Sequence, residues 1–238
     1  MNVSGLLLII PTLVIFTFCP LEVLVPSNVY GQTNQESIDL PKIKSMENGS
    51  LTDLLYQRRS VRNFSPGEIT LDQVSRILFS AQGITRQNRF RTVPSAGALY
   101  PLEVYLVTGS VQGLEAGVYA YRPHGHELVQ VSSGDKREEL AGQCYGQMWV
   151  AEAQAVVVIC AVYDRVTGKY GQRGERYAHI EAGCAAQNVS LTGYSLGLGS
   201  TVVGAFSDKG VAEVVQAAGR EEKPLVVMPV GLMSEERD

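Results

Sequence analysis

The chain has 238 residues, 45% of them hydrophobic and 18% charged, with a formal net charge of −4. This balance excludes a disordered protein and offers no strongly basic face of the kind nucleic acid demands. Setting aside an apolar leader leaves roughly 190 residues, enough for one domain with a sizeable core.

The leader comes first in chain order. Gly5 to Val25 is an almost unbroken apolar run, interrupted by Pro11, Pro20 and Glu22, and its length suits either a secretory signal or a membrane span. Val29-Tyr30-Gly31 offers small-residue cleavage chemistry before Gln32, but no Lys or Arg precedes the run. The first basic residues, Lys42 and Lys44, follow it, so an uncleaved span would leave the body on the cytoplasmic side. Residues 1–31 are therefore expected to be a signal peptide or membrane anchor, with the body either exported or anchored facing the cytoplasm. Residues 32–49 are polar and read as a linker. The folded domain is expected over 50–238.

Leu51 to Arg58 predicts a short helix ending at a basic cluster. Thr70 with Gln73 forms a capping-box signal for a helix to about Ala81, with Leu71, Val74, Ile77 and Leu78 on one face. Val104 to Thr108 is a short β-rich run. Val118 to Arg122 and Glu127 to Val131 flank the turn Pro123-His124-Gly125-His126 and predict a hairpin. Asp135 is placed to cap a helix running through Cys144. Ala155 to Val162 has the continuous apolar pattern of a strand buried on both faces. Thr167 to Gly174 reads as a Gly-rich loop, Tyr177 to Leu196 as a long helix ending at Gly197-Leu198-Gly199, Asp208 to Ala218 as a helix, and Leu225 to Val230 as a last buried strand. Helices interspersed with hairpin and central strands indicate an α+β layered architecture.

Four cysteines, Cys19, Cys144, Cys160 and Cys184, form no CxxC pair, and the last three sit in apolar or helical surroundings that favour reduced thiols. His124 and His126 lie in a turn with no third ligand in view, and His179, Glu181 and Cys184 do not share one helical face well; no metal site is expected.

Two segments carry ligand-binding chemistry. Arg58-Arg59-Ser60-Val61-Arg62 packs three guanidiniums and a hydroxyl into five positions, a set suited to a phosphomonoester. Pro94-Ser95-Ala96-Gly97 is a turn of small residues where backbone can approach a flat ligand. Together they suggest a nucleotide-like cofactor.

The order of these segments resembles the FMN-dependent nitroreductase superfamily, and within it the SagB/ThcOx-type azoline dehydrogenases of thiazole/oxazole-modified peptide synthesis. The resemblance covers roughly residues 50–233. It rests on the Arg58–Arg62 cluster, Arg91 to Leu102, the helix carrying Arg176, Tyr177, Glu181, Gly183, Gln187 and Asn188, then Gly197-Leu198-Gly199 and the ending Met228-Pro229-Val230-Gly231. It implies a nitroreductase-like mixed β-sheet flanked by helices, in a homodimer with the flavin at the subunit boundary.

By the same resemblance, Arg58, Arg59, Ser60 and Arg62 hold the phosphate and ribityl end of FMN, and Pro94, Ser95, Ala96 and Gly97 lie against its ring. Gln147 supplies an amide near the flavin, and the backbone N–H groups of Val203, Gly204 and Ala205 face its N5/O4 edge, where donors stabilise developing negative charge. Only Arg237 is available for a C-terminal phosphate contact. Lys169 and Tyr170 match a pair associated with azoline oxidation; a desolvated Lys can serve as base and a neighbouring Tyr can relay a proton. The implied substrate is a modified peptide or related small molecule. Alternatives from the same residues are an NAD(P)H-dependent nitro or quinone reductase, with nicotinamide as reductant, and a flavin-binding protein with little turnover.

Overall fold

A computed structural model describes residues 49–86, 90–217 and 221–234. The expected signal peptide or anchor, the linker through residue 48, and Arg237 lie outside the described residues. Among the described residues, no helix is long and apolar enough to cross a membrane.

The sheet is organised around one strand. In Ala155–Val162 (β8), Ala155, Val157, Ile159 and Ala161 enter one core while Val156, Val158 and Cys160 enter another. The period of two across a strand makes this partition unavoidable once both faces are covered. β8 pairs antiparallel with Leu102–Thr108 (β4) on one side and Glu222–Leu232 (β10) on the other. Gly117–Arg122 (β6) and Glu127–Ser133 (β7) extend the sheet beyond β4, and Leu198–Ser200 (β9) borders β10. The six-stranded order is β7-β6-β4-β8-β10-β9. Two small pairs stand apart from it: Ile69–Thr70 (β1) with Val111–Gln112 (β5), and Ile84–Thr85 (β2) with Phe90–Arg91 (β3).

Helices cover both faces. Leu71–Gln82 (α2) and Arg173–Ser195 (α6) supply Val74, Ile77, Leu78, Ala178, Ala182, Ala185 and Val189 to the first core. Arg137–Gln143 (α3), Trp149–Glu152 (α4) and Asp208–Val214 (α7) cover the second with Leu140, Ala141, Val150 and Val211. Leu51–Gln57 (α1) leads into the basic cluster, and Asp164–Tyr170 (α5) connects β8 to α6. This is the α+β layered architecture that the residue pattern predicts, but the mixed sheet implied by the resemblance is not seen. Every pair in the six-stranded sheet is antiparallel, and among the described residues parallel pairing is confined to β1 with β5 and to the Ser60–Ser200 bridge.

The capping box forms as read: Thr70 Oγ1 accepts from Gln73 N at 3.2 Å, and Gln73 Oε1 accepts from Thr70 N at 2.8 Å. Leu71, expected on the apolar face, is 44% exposed because it occupies the first helical position, before α2 meets the sheet. Asp135 does not cap α3; Lys136 is the cap residue, and Asp135 instead accepts from the backbone and guanidinium of Arg137. The largest departure is Thr167 to Gly174. Its first part is helical through Tyr170, and the single interruption is Gly171 at φ +59, after which α6 begins at Arg173. The chain reverses there without a flexible loop.

The turn histidine His126 is structural: its ring nitrogens meet Ser75 Oγ at 2.7 Å and the Tyr121 hydroxyl at 2.8 Å, tying the hairpin to α2. Cys144 and Cys160 are buried and Cys184 half-buried, all free. Among the described residues, no group of three or more His, Cys, Asp or Glu side chains is placed to hold a metal ion.

Gln154, 2% exposed, locks the start of the domain to its last strand. Its amide donates to Ser65 O at 2.8 Å and its carbonyl accepts from Leu232 N at 2.9 Å. Gly231 permits this approach, since a Cβ there would lie 2.1 Å from Gln154 Oε1. Replacing Gln154 with Ala strands both backbone groups, each at about 1–3 kcal/mol. Urea unfolding of Gln154→Ala is expected to show a loss of about 2–4 kcal/mol; a loss below about 1 kcal/mol contradicts this lock.

Candidate active site

The predicted site residues fall into two groups, each knit together by its own contacts. The first gathers around the basic cluster. Arg58 ends α1 half-buried, and Ser60 and Arg62 follow it, exposed. The stretch is held straight by a parallel bridge from Ser60 to Ser200 and by Val61 N donating to Ser200 O at 3.0 Å. Arg62 places its guanidinium 5.8 Å from the centre of the Trp149 ring. Arg59 is differently committed: its Nη1 donates to the carbonyls of Tyr56, Gln57 and Arg58, closing the end of α1. Arg58, Ser60 and Arg62 thus carry the anion-binding capacity, and Arg59 shapes the helix end that presents them.

Gln147, two residues before Trp149, ties the start of α4 to the 203–205 loop. Its amide nitrogen donates to Cys144 O at 2.8 Å and Ala205 O at 2.9 Å, so its donors hold the 203–205 loop in place. Val203 corrects the expectation that its N–H faces a ligand. That N–H donates to Val227 O at 2.8 Å in an antiparallel bridge, because the residue is drawn onto the edge of β10. Gly204 and Ala205, both exposed, provide the loop's remaining amides. Gly204 also lines a cavity of about 590 Å³ with His179 and Ala182 of α6 and Lys223 to Val226 of β10.

The second group is built on the turn Pro94–Gly97. Gly97 has φ +64, and Ala98 and Tyr100 hold φ +53 and +47. For side-chain-bearing residues this left-handed conformation costs about 1–2 kcal/mol each. The compensation comes from Glu181 on α6. Its Oε1 accepts from Ser95 Oγ at 2.8 Å and Ala96 N at 2.9 Å, while Ser95 Oγ accepts from Tyr100 N at 2.9 Å. Glu181 is 3% exposed, and among the described residues its Oε2 has no hydrogen-bond partner. Burial pushes its carboxyl above the ordinary value, while the Ser95 and Ala96 bonds and the Arg91 charge pull it back. The sequence signal was present: a carboxylate on the helical stripe of Ala178, Ala182, Ala185 and Val189, which is buried.

Lys169 and Tyr170 meet this turn. A Cβ built on Gly97 would lie 2.7 Å from Tyr170 Oη and 3.1 Å from Lys169 Nζ. Only glycine satisfies both the positive φ and this approach. Lys169 Nζ stands 5.4 Å from the Tyr170 ring centre, and the Tyr170 ring packs edge-on against Tyr177 at 5.1 Å. Lys169 itself is exposed. One turn earlier on α5, Arg165 donates to Tyr100 O at 3.0 Å and to Glu103 Oε1 at 2.5 Å, fixing the helix to the end of the same turn.

Strand register separates the two groups. Trp149 lies on the helix preceding Ala155, the first residue of β8, while Lys169 lies on the helix following Val162, its last. Eight residues of strand span roughly 23 Å. The basic cluster and the Pro94–Gly97 turn therefore stand at opposite ends of the sheet.

A family model described as the nitroreductase family matches residues 55–232. A Methanocaldococcus jannaschii protein named for that family, MJ1384, is 46% identical over 194 residues, covering 82% of this chain and 95% of its own. The Escherichia coli microcin B17-processing protein McbC is 29% identical over 152 residues, covering 62% of this chain and 56% of its own. A chain in the solved structure of the E. coli microcin synthetase McbBCD complex with truncated pro-MccB17 bound superposes with a TM-score of 0.65 at 26% identity, covering 85% of this chain and 79% of that one. With the sheet order, the two-sided core and these matches in agreement, the chain belongs to the nitroreductase family and is an oxidoreductase.

Proposed function

We propose that the chain is an FMN-dependent dehydrogenase that oxidises azoline-type heterocycles, carried on a peptide or related small molecule. The observation that supports this most is the seating of Lys169 Nζ and Tyr170 Oη against the glycine of the small-residue turn. A base and a hydroxyl placed together suit removal of a proton from a substrate carbon as hydride leaves. McbC, a relative named for microcin processing, and the pro-MccB17-bound complex support a peptide substrate.

The residues present fit FMN. Arg58 and Arg62 enter no salt bridge among the described residues, leaving two guanidiniums for a phosphate with the Ser60 hydroxyl beside them. Trp149 Nε1, near Arg62, is a buried donor without a partner among the described residues. At Gly97 the space a Cβ would take is filled by Tyr170 Oη and Lys169 Nζ, so a ring lying against the Pro94–Gly97 turn would meet those two groups. When bound, FMN supplies the acceptor for hydride at N5.

The chain's own residues handle the proton. Lys169 Nζ takes it from the heterocycle carbon, and the Tyr170 hydroxyl, on a ring packed edge-on against Tyr177, orients the substrate or relays the proton onward. Lys169 is exposed in the single protomer, so its desolvation comes from the cofactor, the substrate or a second protomer. Gly204 and Ala205 offer backbone donors to the electron-rich edge of the ring.

The separation of the two groups bears on assembly. The two groups flank the ends of β8, whose eight residues span roughly 23 Å, which favours drawing them from two protomers. A homodimer answers this: the basic cluster of one protomer and the Pro94–Gly97 turn of its partner meet on one flavin. A two-fold axis produces two such sites. The domain so used spans 50–238, following the segment 1–49.

Replacing both Arg58 and Arg62 with Ala removes two charge-assisted contacts of about 1.5–3 kcal/mol each. FMN affinity is expected to fall by about 10²-fold or more; a variant that purifies yellow contradicts the phosphate assignment. Lys169→Ala is expected to keep FMN and lose about 10²–10⁴-fold in azoline oxidation. Undiminished turnover with FMN bound rules Lys169 out as the base. Rapid bleaching of the wild-type flavin by NADH or NADPH without oxygen supports the nitro or quinone reductase reading instead.

A further inference from the structure

Among the described residues, Glu181 is the only Asp, Glu, Lys or Arg in the buried set. A carboxylate in that setting is costly unless its bonds do something the fold cannot otherwise do. Its two bonds converge on one target, the turn before β4. Tyr100 N donates to Ser95 Oγ, Ser95 Oγ donates to Glu181 Oε1, and Ala96 N donates to the same oxygen. The chain of bonds spans residues 95–100, the stretch that holds Ala98 and Tyr100 at positive φ. Strained backbone persists only where surrounding contacts over-determine it. Here the over-determination arrives from α6, eighty-five residues along the chain from Ala96.

We propose that Glu181 is a positioning residue for the reaction: its carboxyl clamps the Pro94–Gly97 turn in the strained shape that presents Gly97 to Lys169 and Tyr170. This rests on the FMN reading above for its effect on the cofactor, and on the hydrogen-bond geometry alone for its effect on the turn. Released from the clamp, Ala98 and Tyr100 relax out of the left-handed region. Gly97 then moves from its place against Tyr170 Oη, and the ring seat and the proton-handling pair lose register together. The work is done by an acceptor, so a glutamine, whose carbonyl oxygen accepts the same two bonds, substitutes for the acid. A leucine fills the space without accepting.

The test compares Glu181→Leu and Glu181→Gln in the full chain by amide hydrogen exchange at Ala96 and Tyr100 and by FMN titration. Glu181→Leu, at wild-type helical content, is expected to exchange both amides faster and to bind FMN about tenfold or more weakly. Glu181→Gln is expected to restore protection and to bind FMN within about threefold of wild type. Unchanged exchange in the leucine variant overturns the proposal, as does a glutamine variant damaged as severely as leucine. If the leucine variant does not fold, Ser95→Ala breaks the same chain of bonds outside the helix. It is expected to expose Tyr100 N, and full protection there overturns the clamp. Should the wild type take up no FMN on reconstitution, the cofactor reading fails, and exchange at the two amides still decides the clamp.

Discussion

Burial of β8 on both faces is the constraint from which the rest of the molecule follows. A strand exposed on one side can slip its register at modest cost, but one that feeds alternate residues into two cores cannot, because a one-residue shift exchanges every side chain between them. Ala155, Val157, Ile159 and Ala161 are committed to one core, and Val156, Val158 and Cys160 to the other. With β4 and β10 paired along its whole length, the strand becomes a spacer of fixed length. The elements at its two ends, α4 before and α5 after, carry the ligand-facing groups. The distance between those groups is therefore a property of the core.

That rigidity makes the placement of strain informative. The described backbone puts Ala98 and Tyr100 in the left-handed region next to Gly97, and it uses its buried carboxylate at that same turn. At the other end, Arg59 closes α1 with three carbonyl contacts, and beside β10 Gln147 fixes the 203–205 loop. In both places polar side chains that could have faced a ligand are used to hold backbone. What remains directed outward is a smaller set: Arg58, Ser60 and Arg62 at one end, Gly97, Lys169 and Tyr170 at the other.

Much of the fold was legible in the residues because it depends on local rules. The Thr70–Gln73 box, the apolar run of β8 and the hairpin around Gly125 each announce their geometry within a few positions. The misreadings lie where tertiary contacts decide. Thr167–Tyr170 looked like a Gly-rich loop, yet it forms a helix packed beside α6 and tied to Tyr100 through Arg165. Val203, in a loop by its residue pattern, is bridged to Val227 at the edge of β10. In the candidate site, residue types identified the basic cluster and the small-residue turn. The grip of Glu181 on Ser95 and Ala96 joins positions far apart in sequence, and only a charged residue on a buried helical stripe hinted at it.

On the proposed function, one flavin site is assembled from the basic cluster of one protomer and the Gly97 turn of another. The most direct measurement mixes two full-length variants that each fail to hold FMN, Arg58→Ala/Arg62→Ala and Gly97→Phe, through joint unfolding and refolding. Each variant alone can form no complete site, but a mixed dimer joins the intact cluster of one to the intact turn of the other. The account predicts FMN uptake in the mixture approaching about one flavin for every four chains, as random pairing through a two-fold axis allows. A mixture that binds no more FMN than its separate components, while still forming mixed dimers, contradicts it.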